Sequence, residues 1–281
     1  MPWKSPSEKF LNVRGVRLRV YDSADRLAYD DPTTLVLLHG MPGQLTNWRY
    51  QIEGLERRWR VVAPDMRGYG ESEKPRTVSF QDYLQDLEEL MRQLSIDEEH
   101  AILVGHSFGA MVAQAYARGR RLKGLVLVGS LLRHKPDAMD WIIEHIPSFL
   151  WRPILFKPNP LTVRFYRDLF FSPSSPPEAF EEFMKDNADY ISSLPAHVHR
   201  YSKILKGYDA SPWLSEVKCP TLVVVGKDDK VTPVEQNERI AELIPNARLV
   251  VVEGAGHLIL YEKPDELNSL IESFVEELTR G

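Results

Sequence analysis

The sequence predicts an α/β protein in which a mostly parallel, doubly wound sheet is interrupted by one long helical insertion. Short apolar, β-branched runs alternate with segments of helical period, the pattern of strands covered on both faces by crossover helices. The alternation stops after Ser130 and resumes at Cys219-Pro220-Thr221. Between these points the chain carries no convincing strand but many aromatics and prolines, so an insertion within one sheet fits better than two domains in series. The 281 residues, 43% of them hydrophobic, suffice for one large core with such an insertion.

Taken in order, the strand candidates are Arg17–Tyr21, Thr34–Leu38, Arg60–Ala63, Ala101–Gly105, Leu122–Val128, Thr221–Val225 and Arg248–Val252. The clearest helix runs from Ser79 to Leu94. Ser79 with Asp82 forms a capping-box pattern, and Tyr83, Leu84, Leu87, Leu90, Met91 and Leu94 make one apolar stripe. The division that follows is a core of residues 1–130 and 215–281 and an inserted helical subdomain of residues 131–214. Turn signals fall inside the insertion at Lys157-Pro158-Asn159-Pro160 and at Ser172-Pro173-Ser174-Ser175-Pro176-Pro177. No repeat or low-complexity tract is present.

A formal charge of −5 gives no footprint for nucleic acid, and no Lys/Arg cluster is dense enough to suggest a membrane surface. The start of the chain lacks a basic region followed by an apolar stretch, and no run approaches the ~18 apolar residues of a membrane span. A cytoplasmic protein acting on a small molecule is the expectation, with neither a monomer nor a homo-oligomer favoured. The single cysteine, Cys219, excludes an intrachain disulfide and reads as a small core residue at a strand start.

Chemistry concentrates at Gly105-His106-Ser107-Phe108-Gly109, between the apolar run 101–104 and a helical segment beginning at Ala110. A strand turning sharply into a helix forces its middle residue into a strained conformation, and side chains two positions either side would collide, hence the two glycines. Ser107 would stand exposed at the tip, beside the unpaired N–H groups of a helix N-terminus. A serine hydroxyl needs an adjacent base, itself oriented by a carboxylate. After Val225 comes Gly226-Lys227-Asp228-Asp229-Lys230-Val231-Thr232-Pro233, and after Val252 comes Glu253-Gly254-Ala255-Gly256-His257. The order nucleophile, acid, base is that of one of the three known triad arrangements.

With His39-Gly40-Met41-Pro42-Gly43 and Asp65-Met66-Arg67-Gly68-Tyr69-Gly70-Glu71-Ser72 in the expected places, the chain resembles the α/β-hydrolase superfamily over nearly its whole length. The resemblance implies an α/β-hydrolase fold whose sheet carries a helical cap inserted after the sixth strand, matching residues 131–214. It implies Ser107 as nucleophile, His257 as base and Asp229 as acid. Gly226 and Pro233 lie at the family's offsets from Asp229, which leaves Asp228 as a loop-bracing or solvated residue. The oxyanion hole would be the backbone N–H groups of Met41 and Phe108; Pro42 has no donor to offer. No metal or organic cofactor is expected.

Other residues read more simply. His39 is expected to bond backbone and His106 to sit beside the elbow. His197 and His199 have metal-like spacing, but on a helical period their rings point roughly 200° apart. Glu178, Glu181, Glu182, Asp186 and Asp189 share one helical face opposite Phe180, Phe183, Met184, Tyr190 and Ile191, which predicts a solvated outer face rather than an ammonium-binding cap.

Serine at 107 departs from the epoxide hydrolases and haloalkane dehalogenases of this superfamily, whose elbow carries aspartate. Gly256-His257-Leu258 departs from the Gly-His-Trp of its carbon-carbon bond hydrolases. Met41 and Gly109-Ala110 match proline iminopeptidases only in part. The expectation is therefore a serine hydrolase of carboxylic esters, with Met41 narrowing the acyl side toward short or medium chains. Lactonase, proline iminopeptidase and carbon-carbon bond hydrolase are the alternatives within the fold, and a slow-turnover ligand receptor or scaffold is the alternative outside enzymes.

Overall fold

In a computed structural model that describes all residues except 1, 2, 4, 137, 148, 152–158 and 281, the chain forms one eight-stranded sheet. The strands are β1 (Glu8–Val13), β2 (Val16–Asp22), β3 (Thr34–Leu38), β4 (Arg60–Pro64), β5 (Ala101–His106), β6 (Gly124–Val128), β7 (Thr221–Gly226) and β8 (Ala247–Val252). Their order across the sheet is β1-β2-β4-β3-β5-β6-β7-β8. β3 to β8 pair in parallel, whereas β1 pairs antiparallel with β2, and β2 with β4.

All seven strand candidates form, the fifth of them beginning at Gly124 rather than Leu122. β1 is the addition. It lies at the sheet edge with Glu8, Phe10 and Asn12 exposed and Lys9 and Leu11 half-buried, so it offers no continuous apolar run. Its signal is the two-residue turn Arg14-Gly15, at φ +50° and +79°, which brings Val13 opposite Val16 and matches the twist of a hairpin.

The inner strands β3, β5, β6 and β7 are buried along their whole length, because both faces are covered. Val36, Leu38 and Leu103 face the layer holding α2 (Phe80–Gln93) and α3 (Phe108–Ala117). Leu35, Leu37, Ile102 and Val104 face the layer of α1 (Arg49–Leu55). The helix expected from Ser79 is α2: Ser79 Oγ accepts from the Asp82 N–H, and the Asp82 carboxylate accepts from the Ser79 N–H at 2.9 Å. Tyr83, Leu87, Leu90 and Met91 are buried, while Leu84 and Leu94 are half-buried.

Between β6 and β7 the described residues hold α4 (Ala138–His145), α5 (Pro160–Phe170) and α6 (Pro177–Ser193) and no strand. Asn159 caps α5 through Oδ1, which accepts from the Leu161 and Thr162 N–H groups, both at 3.0 Å; the 157–158 half of that turn signal lies outside the described residues. α7 (Val234–Leu243) follows β7, and the short α8 (Ile259–Glu262) and the long α9 (Pro264–Arg280) close the chain. Among the described residues no helix is long and apolar enough to cross a membrane.

One expectation fails on α6. Glu178, Glu181 and Asp189 are exposed, but Asp186 is buried and Glu182 is half-buried. Arg49 on α1 meets both, with Nη1 3.0 Å from Asp186 Oδ2 and Nη2 2.5 Å from Glu182 Oε2. A helical wheel drawn for α6 alone cannot contain that partner, which belongs to another element 133 residues away from Glu182 in the chain.

Candidate active site

Every site residue expected from the sequence stands at the carboxyl end of a parallel strand, where crevices open in sheets of this kind. Ser107 follows β5 at φ +53°, ψ −117° and caps α3. Such a conformation costs a non-glycine residue about 1–3 kcal/mol, and the surroundings enforce it. The Ser107 N–H donates to Val128 O at 2.9 Å, and its carbonyl accepts from the Ala110 and Met111 N–H groups at 2.9 and 3.1 Å. A Cβ on Gly105 would lie 2.4 Å from Gly109 O, and one on Gly109 would lie 2.1 Å from Leu38 O. Both glycines are therefore required by close backbone approach.

His257 Nδ1 donates to Asp229 Oδ2 at 2.9 Å, which leaves Nε2 as the free basic nitrogen. Asp229 Oδ1 accepts from the Val231 and Thr232 N–H groups at 2.8 and 2.7 Å, and Thr232 Oγ1 donates to Oδ2 at 2.6 Å. Burial would raise the Asp229 pKa, but the charge and hydrogen bonds of His257 and Thr232 outweigh it and hold the carboxyl below its ordinary range. Asp228 turns the other way: Ser172 Oγ donates to its Oδ2 at 2.5 Å, a contact that braces the loop.

Ser107 and His257 line one cavity of about 490 Å³, together with Gly40 and Met41. Among the described residues no hydrogen bond joins the two side chains, as is common before substrate tightens an apo site. The amides of Met41 and Phe108 have no hydrogen-bond partner among the described residues. His39 fixes the Met41 loop: its Nε2 accepts from the Met66 N–H at 2.9 Å and its Nδ1 donates to Gly40 O at 2.7 Å. Burial lowers the His39 pKa to about 4. His106, lowered to about 3 by burial and by neighbouring His257, donates from Nε2 to His257 O at 2.8 Å. Both are neutral imidazoles that shape backbone.

Several groups that position the site are not apparent in the sequence. Phe170 O accepts from the His257 and Leu258 N–H groups at 2.8 and 3.1 Å. Glu262 accepts from the Gly256 and Ser172 N–H groups; burial raises its pKa against the pull of those donors. Tyr190 Oη donates to Gly43 O at 2.8 Å and accepts from the Gly70 N–H at 3.0 Å. Thr232 alone leaves a signal, a hydroxyl three residues after the acid that can cap it.

The insertion closes one side of the cavity with Phe165, Tyr166, Leu169, Phe170, Phe183 and Ile191. No Asp, Glu, Lys or Arg side chain lines it among the described residues. His197 and His199 do not converge: His197 Nε2 meets Lys74 O at 3.1 Å, and His199 packs edge-on against Trp151. Among the described residues no cluster of His, Cys, Asp and Glu could hold a metal ion. Cys219 is buried at the foot of β7, its thiol pushed up to about 11 by burial.

Residues 33–264 match the family described as alpha/beta hydrolase fold. The chain is similar to epoxide hydrolase 4 of Homo sapiens, 27% identical across 94% of this chain and 79% of that protein. It is also similar to a proline iminopeptidase of Thermoplasma volcanium, 27% identical across 89% of this chain and 91% of that one. Among solved structures, a thermophilic esterase from Thermogutta terrifontis superposes with a TM-score of 0.81 at 25% identity, covering 97% of this chain and 99% of its own.

Proposed function

Because the chain belongs to the alpha/beta hydrolase fold family, and is a hydrolase on that ground, we propose that it cleaves neutral carboxylic esters of small to medium acyl chains through an acyl-enzyme on Ser107. The observation that carries this reading is that Ser107, the Asp229-paired His257 and the unengaged amide of Met41 line one cavity without a charged Asp, Glu, Lys or Arg among its described lining residues, with the unengaged amide of Phe108 next to Ser107.

In the proposed reaction Ser107 Oγ attacks the ester carbonyl while His257 Nε2 takes its proton. Asp229, ionised and fixed by Thr232, holds the ring and stabilises the imidazolium. The Met41 and Phe108 N–H groups receive the oxyanion, each donor being worth about 3–4 kcal/mol of barrier. His257 then returns the proton to the departing alkoxide, and water deacylates the enzyme by the same route. Helices of residues 131–214 act as the cap, excluding water from the cavity and shaping the alcohol and acyl sides.

The similarity to an epoxide hydrolase does not extend to the nucleophile the sequence offers, which is serine. An amine-recognising peptidase needs an available carboxylate near the nucleophile. The acidic residues of α6 that turn inward, Glu182 and Asp186, are bound by Arg49, and Tyr261 Oη adds a hydrogen bond to Asp186 at 3.3 Å. Ester cleavage is favoured on that ground.

Ser107→Ala is expected to remove at least about three powers of ten of p-nitrophenyl acetate and butyrate hydrolysis while leaving the melting temperature within a few degrees of the parent. Retained turnover would show that the nucleophile lies elsewhere. Titration with an organophosphate separates enzyme from receptor: stoichiometric labelling of Ser107 without ester turnover would sink the esterase reading. A panel of esters, lactones and prolyl arylamides distinguishes the branches of the fold.

A further inference from the structure

We propose that Tyr166 is the specificity-determining contact for the alcohol side of the ester, and that the preferred substrates are neutral esters whose leaving alcohol carries a second oxygen, a hydroxyl or an ether. The inference rests on the esterase reading of the site.

The first ground is which polar groups on the cavity wall are already satisfied. Asn47 Nδ2 donates to Asn187 Oδ1 at 3.0 Å and to Tyr261 Oη at 3.3 Å, and Asn47 Oδ1 accepts from the Gln44 N–H at 2.8 Å. Tyr261 Oη donates to Asp186 at 3.3 Å. These two polar linings are spoken for by the protein. Tyr166 is not: it lines the cavity at 9% exposure, and its hydroxyl has no partner among the described residues. Its oxygen is not among the buried unpartnered atoms of the described residues, so it is open to the cavity and takes its hydrogen bond from whatever occupies it.

The second ground is position. Tyr166 lies one turn before Phe170 on α5, and their rings pack at 5.5 Å. The Phe170 ring in turn packs against His257 at 6.0 Å, and its carbonyl holds the His257 N–H at 2.8 Å. Tyr166 therefore belongs to the His257 flank of the cavity, while the oxyanion amides belong to the loops of Met41 and Phe108. His257 is the group that returns a proton to the leaving alkoxide, so the flank it occupies is the flank the alcohol occupies. With no charged side chain on the wall, the complement to a neutral phenol is a neutral oxygen.

A site built to hydrogen-bond a substrate oxygen discriminates against an analogue lacking it more sharply than an apolar pocket discriminates against an added methylene. The test uses butyrate esters in isosteric pairs, an ω-hydroxyalkyl ester against the n-alkyl ester of equal length, over a short homologous series, with acid release followed by pH-stat. At the best length the parent protein is expected to prefer the hydroxyalkyl ester by about tenfold or more in kcat/KM. Tyr166→Phe is expected to bring that preference close to unity, lowering the hydroxyalkyl value and raising the alkyl one. The substitution removes an oxygen with no partner among the described residues, so its melting temperature is expected to stay at or above that of the parent. An unchanged preference in a folded Tyr166→Phe protein overturns the proposal.

Dissociation constants of the same pairs on Ser107→Ala, with and without Tyr166→Phe, read the contact without turnover. A Tyr166-dependent preference in binding, with no ester turned over by the parent, defeats the esterase reading and keeps the contact. Turnover with no Tyr166-dependent preference does the reverse.

Discussion

Asp228 and Asp229 are neighbours in one loop with opposite surroundings, and the roles proposed for them separate accordingly. Asp229 receives four hydrogen bonds, from His257 Nδ1, two amides and the Thr232 hydroxyl, whereas Asp228 is held by Ser172 on the other side of the loop. Asp229→Asn is expected to lower kcat by about two or more powers of ten, because the amide cannot stabilise the imidazolium and can invert the tautomer; the equivalent change in a serine-protease triad costs about four powers of ten. Asp228→Asn is expected to stay within about threefold, consistent with the weakening of one loop hydrogen bond. A reversed order would exchange their roles. The pH profile gives an independent reading. Asp229 is depressed, so its ionised form, and the stability it lends, is complete above the ordinary carboxylate value of about 4. That contribution is lost only as pH falls through the still lower folded value. Asp229 is therefore expected to add no step to kcat/KM above about pH 4, so the acid limb there is no steeper than tenfold per pH unit. A limb of slope two in that range would mean that Asp229 titrates within it.

Among the elements, α6 does more than cover the cavity. Tyr190 ties it to Gly43, two residues beyond Met41, and to Gly70. Removing the hydroxyl leaves a carbonyl and an N–H unpaired and loosens the loop that presents the Met41 amide. Tyr190→Phe is expected to lower kcat about tenfold with KM within about twofold, because an oxyanion donor acts in the transition state and not in the ground state. A rise in KM alone would assign Tyr190 to substrate binding instead. This tie also shows what a sequence can and cannot convey. The inner strands are legible because burial on both faces makes them continuous apolar runs, and α2 because Ser79 and Asp82 carry its cap locally. Ser107 and Asp229 stand out because each sits in a glycine-bearing turn directly after such a strand, and His257 because Gly254 and Gly256 precede it just beyond the apolar run of the edge strand β8. β1 escapes notice because an edge strand with Phe10 outward looks like loop, despite the Arg14-Gly15 turn. Tyr190, Phe170 and Glu262 escape it because their partners are brought together only by tertiary packing, and nothing in a window around them differs from ordinary helix surface.

At the scale of the molecule, the insertion is joined to the sheet's covering layer through a buried ion pair, Arg49 of α1 with Asp186 of α6. Arg49 is 8% exposed and Asp186 7%, and burial raises the Asp186 pKa while Arg49 draws it down. Removing the guanidinium leaves the carboxylate, among the described residues, with the Tyr261 hydroxyl and the Trp3 N–H, each at 3.3 Å. Arg49→Met is expected to cost about 3 kcal/mol at neutral pH, equivalent to a fall in Tm of about 6 °C for a chain of this size. The sign with pH follows from the carboxyl. Without Arg49 the folded pKa of Asp186 lies further above its unfolded value, so the folded state takes up a proton that the unfolded state releases. The loss is then smallest in acid and grows as pH rises through the folded value. Asp186→Asn in the Arg49→Met background removes the stranded charge and is expected to recover part of the stability and to flatten its pH dependence. If the double variant melts no higher than Arg49→Met, the junction is held by the stacking of the guanidinium on Tyr50 and Tyr261, whose rings lie 4.4 and 5.7 Å from its central carbon, and not by the ion pair.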